Sequence, residues 1–338
     1  MKMQKNLWAV LLIAVMALAL TACSSTVDQE SLSEAPAETP AAEEDTTYTV
    51  GIIQLVPHVA LDAATKGFRD ALSEKLGDKV IFDEQNASND VQNCSVIANQ
   101  FVSAQVDLIM ANATPALQAA QAATDTIPIL GTSVTDYATA LGLDNWTGAT
   151  GSNISGTSDL APLDGQAAII QELFPETEKV GILYCSGEPN SKYQDGVITG
   201  YLTEMGYTCQ SYTFSDSNDL QTVVASAAAD SDVLYVPTDN TAASNTEIIK
   251  NICLPAQVPV VVGEEGICRG CGLATLSISY YDLGYTTGLM AYEILANGAD
   301  PGGMAVEFAP NVTKKYNAEI AAALGIVMPE GYEAISAE

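Results

Sequence analysis

A short apolar run followed by an amphipathic run, repeated along most of the chain, is what most restricts the fold of this sequence. The first instance covers residues 49–72 (TVGIIQLVPHVALDAATKGFRDAL). Val50, Gly51, Ile52, Ile53, Gln54, Leu55 and Val56 form a nearly unbroken apolar run, too short for a membrane span and suited to a strand buried on both faces. Beyond it Leu61, Ala64, Phe68, Ala71 and Leu72 recur at helical spacing, with Asp62, Lys66, Arg69 and Asp70 on the other side. Pro57, His58, Val59 and Ala60 join strand to helix. Open α/β sheets bind their ligands in loops of this kind, at the carboxyl end of a strand and the amino end of a helix.

The unit recurs. Residues 80–82 precede a helix carrying Val91, Cys94, Ile97, Ala98, Phe101 and Val102. The run 106–111 leads through Asn112, Ala113, Thr114 and Pro115 into an alanine-rich helix, with Pro115 suited to its first turn. Residues 127–130 end in the hydroxyl-rich stretch 131–136. The Gly, Asn, Ser and Thr residues of 142–159 break the alternation and predict a crossing between two lobes. A second series follows, with strands over 180–185, 233–236, 259–262 and 273–278, helices over 162–174, 218–229 and 283–295, a short strand near Val306 and a terminal helix over 317–324. Strands spaced by amphipathic helices imply parallel sheets with right-handed crossovers, so two such series imply two α/β lobes facing each other.

The amino terminus is a separate matter. Lys2 and Lys5 precede an apolar run over 7–20, which ends in Thr21, Ala22 and Cys23. The pattern predicts a secretory signal peptide over 1–22 and resembles the lipobox of bacterial lipoproteins, which implies lipidation of Cys23. Residues 23–47 carry seven acids, no base and almost nothing apolar, the composition of a disordered tether. About 24 such residues span on the order of 25–30 Å. The net charge is 12 − 42 = −30, and loss of Lys2 and Lys5 makes it 10 − 42 = −32. Nucleic acid and anionic lipid are poor partners for such a surface. The one expected membrane contact is the lipid anchor, and the expected state is a monomer. Of the remaining thiols, Cys268-x-x-Cys271 with Cys253 upstream invites a zinc reading, but no fourth ligand is near and the single histidine, His58, is distant in sequence. No metal or other cofactor is expected. Disulfides such as Cys253 with Cys268 or Cys271 remain open beside free buried thiols.

Reactive machinery is scarce. No G-x-G-x-x-G follows a strand, and neither a P-loop nor a G-x-S-x-G elbow occurs. Any Ser-His or Cys-His arrangement would have to use His58, which suits a cleft hydrogen bond better than general-base work. The expectation is not an enzyme, and a lipid-anchored hydrolase is the rival that this argues against. The strand-end loops instead collect hydroxyls, amides and acids: Thr114, Ser133, Thr135, Asp136, Ser158, Asp159, Glu188, Asn190, Ser191, Thr238, Asp239, Asn240, Glu264 and Asp282. Carboxylates neutralise an ammonium, while hydroxyls and helix-start amides receive a carboxylate, so an amino acid would suit them. Each residue alone is equally a helix cap.

Together these loops carry a resemblance. GIIQLVPHVALD at 51–62, NATP at 112–115, Ser158-Asp159, EPNS at 188–191, VPTDN at 236–240 and YYDLG at 280–284 look like signatures of bacterial ABC transporter substrate-binding lipoproteins, over roughly 49–326. The resemblance implies a type I periplasmic-binding-protein fold, with two doubly wound parallel-sheet lobes, a hinge and a ligand cleft between them. The implied lobes are 48–157 plus 281–309 and 158–280 plus 310–338, hinged near Gly156, Ser279 and Pro310. It further implies capture of an amino acid, tryptophan- or phenylalanine-like, by lobe closure, and delivery to an ABC permease and ATPase from an extracytoplasmic, membrane-anchored position. A sensing receptor of the same fold, or a nucleoside or sugar ligand, is the alternative. Carried over residue by residue, the ligand contacts are Gln54, His58, Thr114, Thr135, Asp136, Ser158, Asp159, Glu188, Asn190, Asp239, Asn240 and Asp282. Val59 and Glu264 depart from the family's common proline and aspartate. For an aromatic ligand, Tyr137, Trp146, Tyr280 and Tyr281 are available as a stacking wall.

Overall fold

The computed structural model describes residues 46–309 and 311–335; the leader over 1–22, Cys23, the tether up to residue 45 and Pro310 lie outside them. In the first part of the chain the elements run β1 (Tyr48–Gln54), α1 (Val59–Leu76), β2 (Val80–Asn86), α2 (Val91–Ala104), β3 (Leu108–Asn112), α3 (Thr114–Ala123), β4 (Ile129–Val134), α4 (Tyr137–Leu141) and β5 (Ile154–Ser158). They continue as α5 (Leu163–Leu173), β6 (Lys179–Cys185), α6 (Pro189–Glu204), β7 (Thr208–Phe214), α7 (Ser217–Asp230), β8 (Val233–Val236), α8 (Asn240–Ala243), α9 (Thr246–Cys253), β9 (Val260–Val262), α10 (Glu265–Gly270) and β10 (Ala274–Ser277). Last come α11 (Tyr280–Asn297), β11 (Glu307–Phe308), β12 (Thr313–Tyr316), α12 (Ala318–Leu324) and β13 (Glu333–Ala334).

Two sheets result, ordered β2-β1-β3-β4-β5-β11 and β7-β6-β8-β9-β10-β12-β13. The two orders follow one rule: the strand that opens each series lies second from the edge, and the next strand goes outside it before the chain reverses direction. The chain passes from one sheet to the other after β5, after β10 and after β11. All pairs are parallel save β10 with β12, where Ala274 faces Tyr316. That antiparallel strand, Thr-Lys-Lys-Tyr, is half-buried and has no apolar run to announce it. β4 also extends past its apolar start through Gly131, Thr132 and Ser133, each buried despite its small or polar side chain.

Both faces of each sheet are covered, which is why the strands read as continuous apolar runs. Val50 and Ile52 of β1 pack with Phe68, Leu72, Leu108, Met290 and Ile294 beneath α1 and α11. Ile53, from the other face, joins Phe101, Ile109, Leu117 and Tyr137 under α2 and α3. In the second lobe, Val180 and Ile182 pack with Ile170, Ile198 and Tyr235, while Leu183 and Leu234 pack with Leu220, Val224 and Ile249. α1 and α11 touch backbone to backbone: a methyl group on Gly284 would overlap the Ala64 carbonyl, and one on Gly67 the Tyr281 carbonyl. This contact anchors α11, which begins at the second crossing, against the helix that follows β1.

Candidate functional site

The carboxyl ends of strands from both sheets converge on one enclosed cavity. His58 and Leu61 come from the start of α1, Ser133 and Thr135 from the end of β4, and Asp159 from the residue after β5. The second lobe supplies Asn190 from the first turn of α6, Thr238, Asp239 and Asn240 from the β8–α8 turn, Ala243 from α8 and Glu264 from the turn after β9. Tyr280 enters at the start of α11, beside the second crossing. Most of these side chains are buried, Asp239 at 1% and Glu264 at 3% exposure. Among the described residues, side-chain hydrogen bonds that join the lobes away from the crossings include His58 Nε2 to Asn240 Oδ1 at 3.3 Å, Asn89 Nδ2 to Thr241 Oγ1 at 3.0 Å, and Thr135 Oγ1 to Thr238 Oγ1 at 3.4 Å.

Two acids of the second lobe build the frame. Glu188 accepts from the Asn240 backbone N–H at 2.9 Å, Asn240 Nδ2 at 2.7 Å, the Thr241 N–H and hydroxyl at 2.8 Å each, and Asn190 Nδ2 at 3.1 Å. Asp239 accepts from the Cys185 N–H at 2.7 Å, the Ser191 hydroxyl at 2.7 Å and the Ala242 N–H at 2.8 Å, capping α8. These bonds orient the amides. Asn240 gives its NH₂ to Glu188 and so turns its oxygen to His58, which makes Nε2 of that imidazole the protonated nitrogen. Asn190 spends its NH₂ on Glu188, Ser191 and the Thr238 carbonyl. Two acceptors are left buried without a partner, His58 Nδ1 and Asn190 Oδ1, together with the Ser133 hydroxyl.

The electrostatics have one sign. Asp159 accepts from the Tyr280 hydroxyl at 2.7 Å and the Thr135 hydroxyl at 3.0 Å, yet burial still raises its carboxyl above the ordinary range. Burial pushes Glu264 up to about 7, against the pull of the Gly266 and Ile267 N–H groups that it caps. Asp239 is pushed up to about 8 by burial and by the charge of Glu188. Burial also lowers His58, keeping its imidazole neutral. No lysine or arginine lines the cavity among the described residues. A set of carboxylates and lone pairs, short of a cation, is arranged to accept hydrogen bonds from a positively charged group.

Of the contacts assigned from sequence, the structure gathers His58, Thr135, Asp159, Asn190, Asp239 and Asn240 around this cavity. Glu188 and Ser158 stand one layer behind: Ser158 donates to the Thr135 carbonyl at 2.8 Å. Thr114 opens α3 with its hydroxyl buried and unpartnered, beside the end of β4, where the Ala113 N–H donates to the Thr132 carbonyl. Three residues lie elsewhere. Gln54 is folded back onto α1, accepting from Thr65 and donating to Asp62 at 2.6 Å each. Asp136 caps α4 through the Thr139 N–H. Asp282 is exposed on the first turn of α11. Leu61, Ser133, Thr238, Ala243, Glu264 and Tyr280, outside the assigned contact set, line the cavity. The positive φ of Ser133, +54°, aims its side chain inward and has no sequence signature in a non-glycine residue. Of the four aromatic candidates only Tyr280 reaches the cavity; Tyr137 stacks on Trp146 within the first lobe, and Tyr281 packs on Tyr285 outside.

The described cysteines are free thiols, and burial pushes Cys253 up to about 12 and holds Cys268 and Cys271 far above the ordinary thiol range. Among the described residues no group of three or more His, Cys, Asp or Glu is placed to hold a metal ion, and no helix is long and apolar enough to cross a membrane.

Comparison with known proteins adds a family. A family model described as ABC transporter substrate binding protein matches residues 49–338. A curated relative, the tyrosine-binding protein of Clostridioides difficile (strain R20291), is 38% identical over 279 residues, 82% of this chain and 79% of that protein. Among solved structures, an ABC domain from Streptococcus pneumonia in complex with L-Trp superposes with a TM-score of 0.81 at 30% identity, over 86% of this chain and 100% of that one. The ligand-free, open structure of a substrate-binding protein with adhesive properties from Clostridium difficile is 36% identical over the same shares, yet its TM-score is 0.66. The nearer sequence gives the poorer superposition.

Proposed function

The chain belongs to the family of ABC transporter substrate-binding proteins, and on that premise we propose that it captures a free amino acid, aromatic in side chain, between its two lobes and hands it to the permease and ATPase of an importer. The observation that carries the amino-acid reading is the convergence of His58 Nδ1, Asn190 Oδ1 and the Asp159 carboxylate, three acceptors without a cation, on one cavity. An α-ammonium has three N–H donors and one positive charge, matching them in number and sign. The Ser133 hydroxyl, unpartnered on the cavity wall, is the donor for the α-carboxylate. The aromatic side chain is supported by the relatives that bind tyrosine and L-Trp.

In this reading the protein performs no chemistry on its ligand. Its lobes, 48–157 plus 281–309 and 158–280 plus 310–338, rotate about the three crossings, and closure completes the ammonium site from both sides. Cleavage of the leader and lipidation of Cys23 hold the body outside the cytoplasm, on its acidic tether.

Calorimetry of the purified protein against the common amino acids, sugars and nucleosides tests this. An aromatic amino acid is expected to bind, and at 100 times its Kd to add about 2.7 kcal/mol of stability. Its N-acetyl derivative, which lacks the ammonium, is expected to bind at least about 100-fold more weakly, since a buried carboxylate then loses its counter-charge. Binding of sugars or nucleosides and of no amino acid would reject the reading. Equal affinity for the N-acetyl derivative would reject the ammonium site.

A further inference from the structure

Glu188 stands behind the cavity wall, 5% exposed and outside the lining. It opens α6 without capping that helix, and its carboxylate crosses instead to the turn between β8 and α8. Each oxygen there meets a backbone N–H, which can only donate: Oε2 the Asn240 N–H at 2.9 Å and Oε1 the Thr241 N–H at 2.8 Å. Both oxygens are therefore acceptors, and the Asn240 side chain, 2.7 Å from Oε2, has to present its NH₂. Among the described residues, nothing else holds the Asn240 amide but the bond of its oxygen to His58 Nε2. Asn190 differs, since its NH₂ is also fixed by the Thr238 carbonyl at 2.9 Å. A carboxylate partner dictates the tautomer of an imidazole outright, whereas an amide can face it with either end. His58 is partnered by an amide, so its tautomer depends on what lies behind that amide.

We propose that Glu188 is a positioning residue for ligand selection: by holding Asn240 it holds His58 with the proton on Nε2, and so gives the cavity an acceptor at Nδ1. For the ligand this rests on the amino-acid reading above. Nδ1 is buried without a partner. With a lone pair it receives an ammonium N–H; with a proton it opposes one. The amide in the relay has its own use. A carboxylate at position 240 would fix the same tautomer but favour a second proton on the ring, which turns Nδ1 into a donor. A neutral amide leaves the imidazole neutral, and the charge that gives the amide its direction sits one residue further back. Removal of that charge reverses the direction. The donors it leaves behind, the Asn240 and Thr241 N–H groups and the Asn190 NH₂, draw the Asn240 oxygen to themselves, and the Asn240 NH₂ then faces His58. A role as nothing more than a cap for the first turn of α8 accounts for the two backbone bonds, but it predicts lost stability with no change at the imidazole.

His58 is the single histidine of the chain, so nitrogen NMR of histidine-labelled, ligand-free protein at about pH 8, where the ring is neutral, reads the tautomer directly. Wild type is expected to carry the proton on Nε2. Glu188→Met is expected to move it to Nδ1 and to weaken L-tryptophan and L-tyrosine at least about tenfold by calorimetry. The double variant Glu188→Met/Asn240→Asp keeps the number of acids and places an acceptor before Nε2 whatever stands at position 188. It is expected to return the proton to Nε2 and to bring the constants back within about fivefold of wild type, a rescue that a lost cap would not show. Thermal melts verify that each variant is folded. A proton on Nδ1 in wild type overturns the relay whether or not Glu188→Met folds, and so does a folded Glu188→Met that keeps the proton on Nε2. If the tautomer switches as expected but neither amino acid binds wild type, the amino-acid reading fails while the relay from Glu188 to His58 stands.

Discussion

Asp159 and Glu264 are buried acids with few opposing charges, and that makes the closed body sensitive to protons. Glu264 binds its proton more tightly in the folded protein, up to about 7, than in an unfolded chain, and Asp239, up to about 8, shifts the same way. Between the unfolded and folded values the native state therefore holds more protons, so stability falls as pH rises through that window and levels off above it. The ligand-free protein is expected to melt higher at about pH 5 than at about pH 8, by an amount on the order of 1–3 kcal/mol for Glu264 alone, and Glu264→Gln is expected to remove that share while leaving the part due to Asp239. A melt series across this range checks it. Asp159→Asn removes a desolvated charge that nothing within the cavity neutralises. It is expected to raise ligand-free stability by about 1 kcal/mol while weakening amino-acid binding about 100-fold or more, a split that calorimetry and melting read separately. Gln54 is the counter-case, since its amide serves α1 and not the cavity. Gln54→Leu is expected to cost about 1–2 kcal/mol of stability and to leave Kd within twofold. The sequence held no means of separating Gln54 from its loop neighbours. It ends β1, and whether a polar side chain there turns to a helix or to a cleft depends on tertiary partners such as Thr65.

At the scale of elements, the strand-and-helix rhythm was legible because both faces of each sheet are covered, so that burial writes itself as apolar runs. β12 escaped for the complementary reason: an edge-side strand of Thr, Lys, Lys and Tyr buries little and pairs antiparallel through backbone alone. The helix starts were legible as polar loops, and many prove to be caps, as with Asp136 on α4 and Asp239 on α8. What the loops could not say is which cap is also a wall. Asp239 is both, capping α8 with one carboxylate oxygen and lining the cavity. The packing of α1 on α11 was invisible for a different reason: a glycine at a helix crossing looks like any other glycine. Gly284→Ala sets a methyl against the Ala64 carbonyl and is expected to destabilise by about 1–3 kcal/mol through overpacking. Because α11 begins at Tyr280, displacing that helix would also move a cavity wall. Denaturant titration together with ligand affinity would detect both effects, and an unchanged midpoint would contradict the close approach.

For the whole molecule, the proposed closure makes binding strength and the poise between parted and closed lobes one equilibrium. Asn89 and Thr241 bridge the lobes without lining the cavity. Asn89→Ala takes about 1 kcal/mol from the closed state alone, so where closure limits affinity the Kd is expected to rise about fivefold although every cavity-lining group is kept. Small-angle scattering of the ligand-free variant would show a larger radius, and an unchanged profile and Kd would argue against the bridge. The strand order gives this poise a direction. β5 and β11, which carry two crossings, lie together at one edge of the first sheet, and β2, which precedes Asn89, lies at the other. In any rotation, travel grows with distance from the axis, as at the handle and the hinge-pin of a door. In the proposed closure Asp159 and Tyr280, joined by the Tyr280 hydroxyl beside the pin, are expected to move little, while Asn89 sweeps the widest arc. On the amino-acid reading, the carboxylate that greets the amine is then assembled while the door stands ajar, and an incoming molecule is vetted for its charge before the latch side arrives to judge the rest.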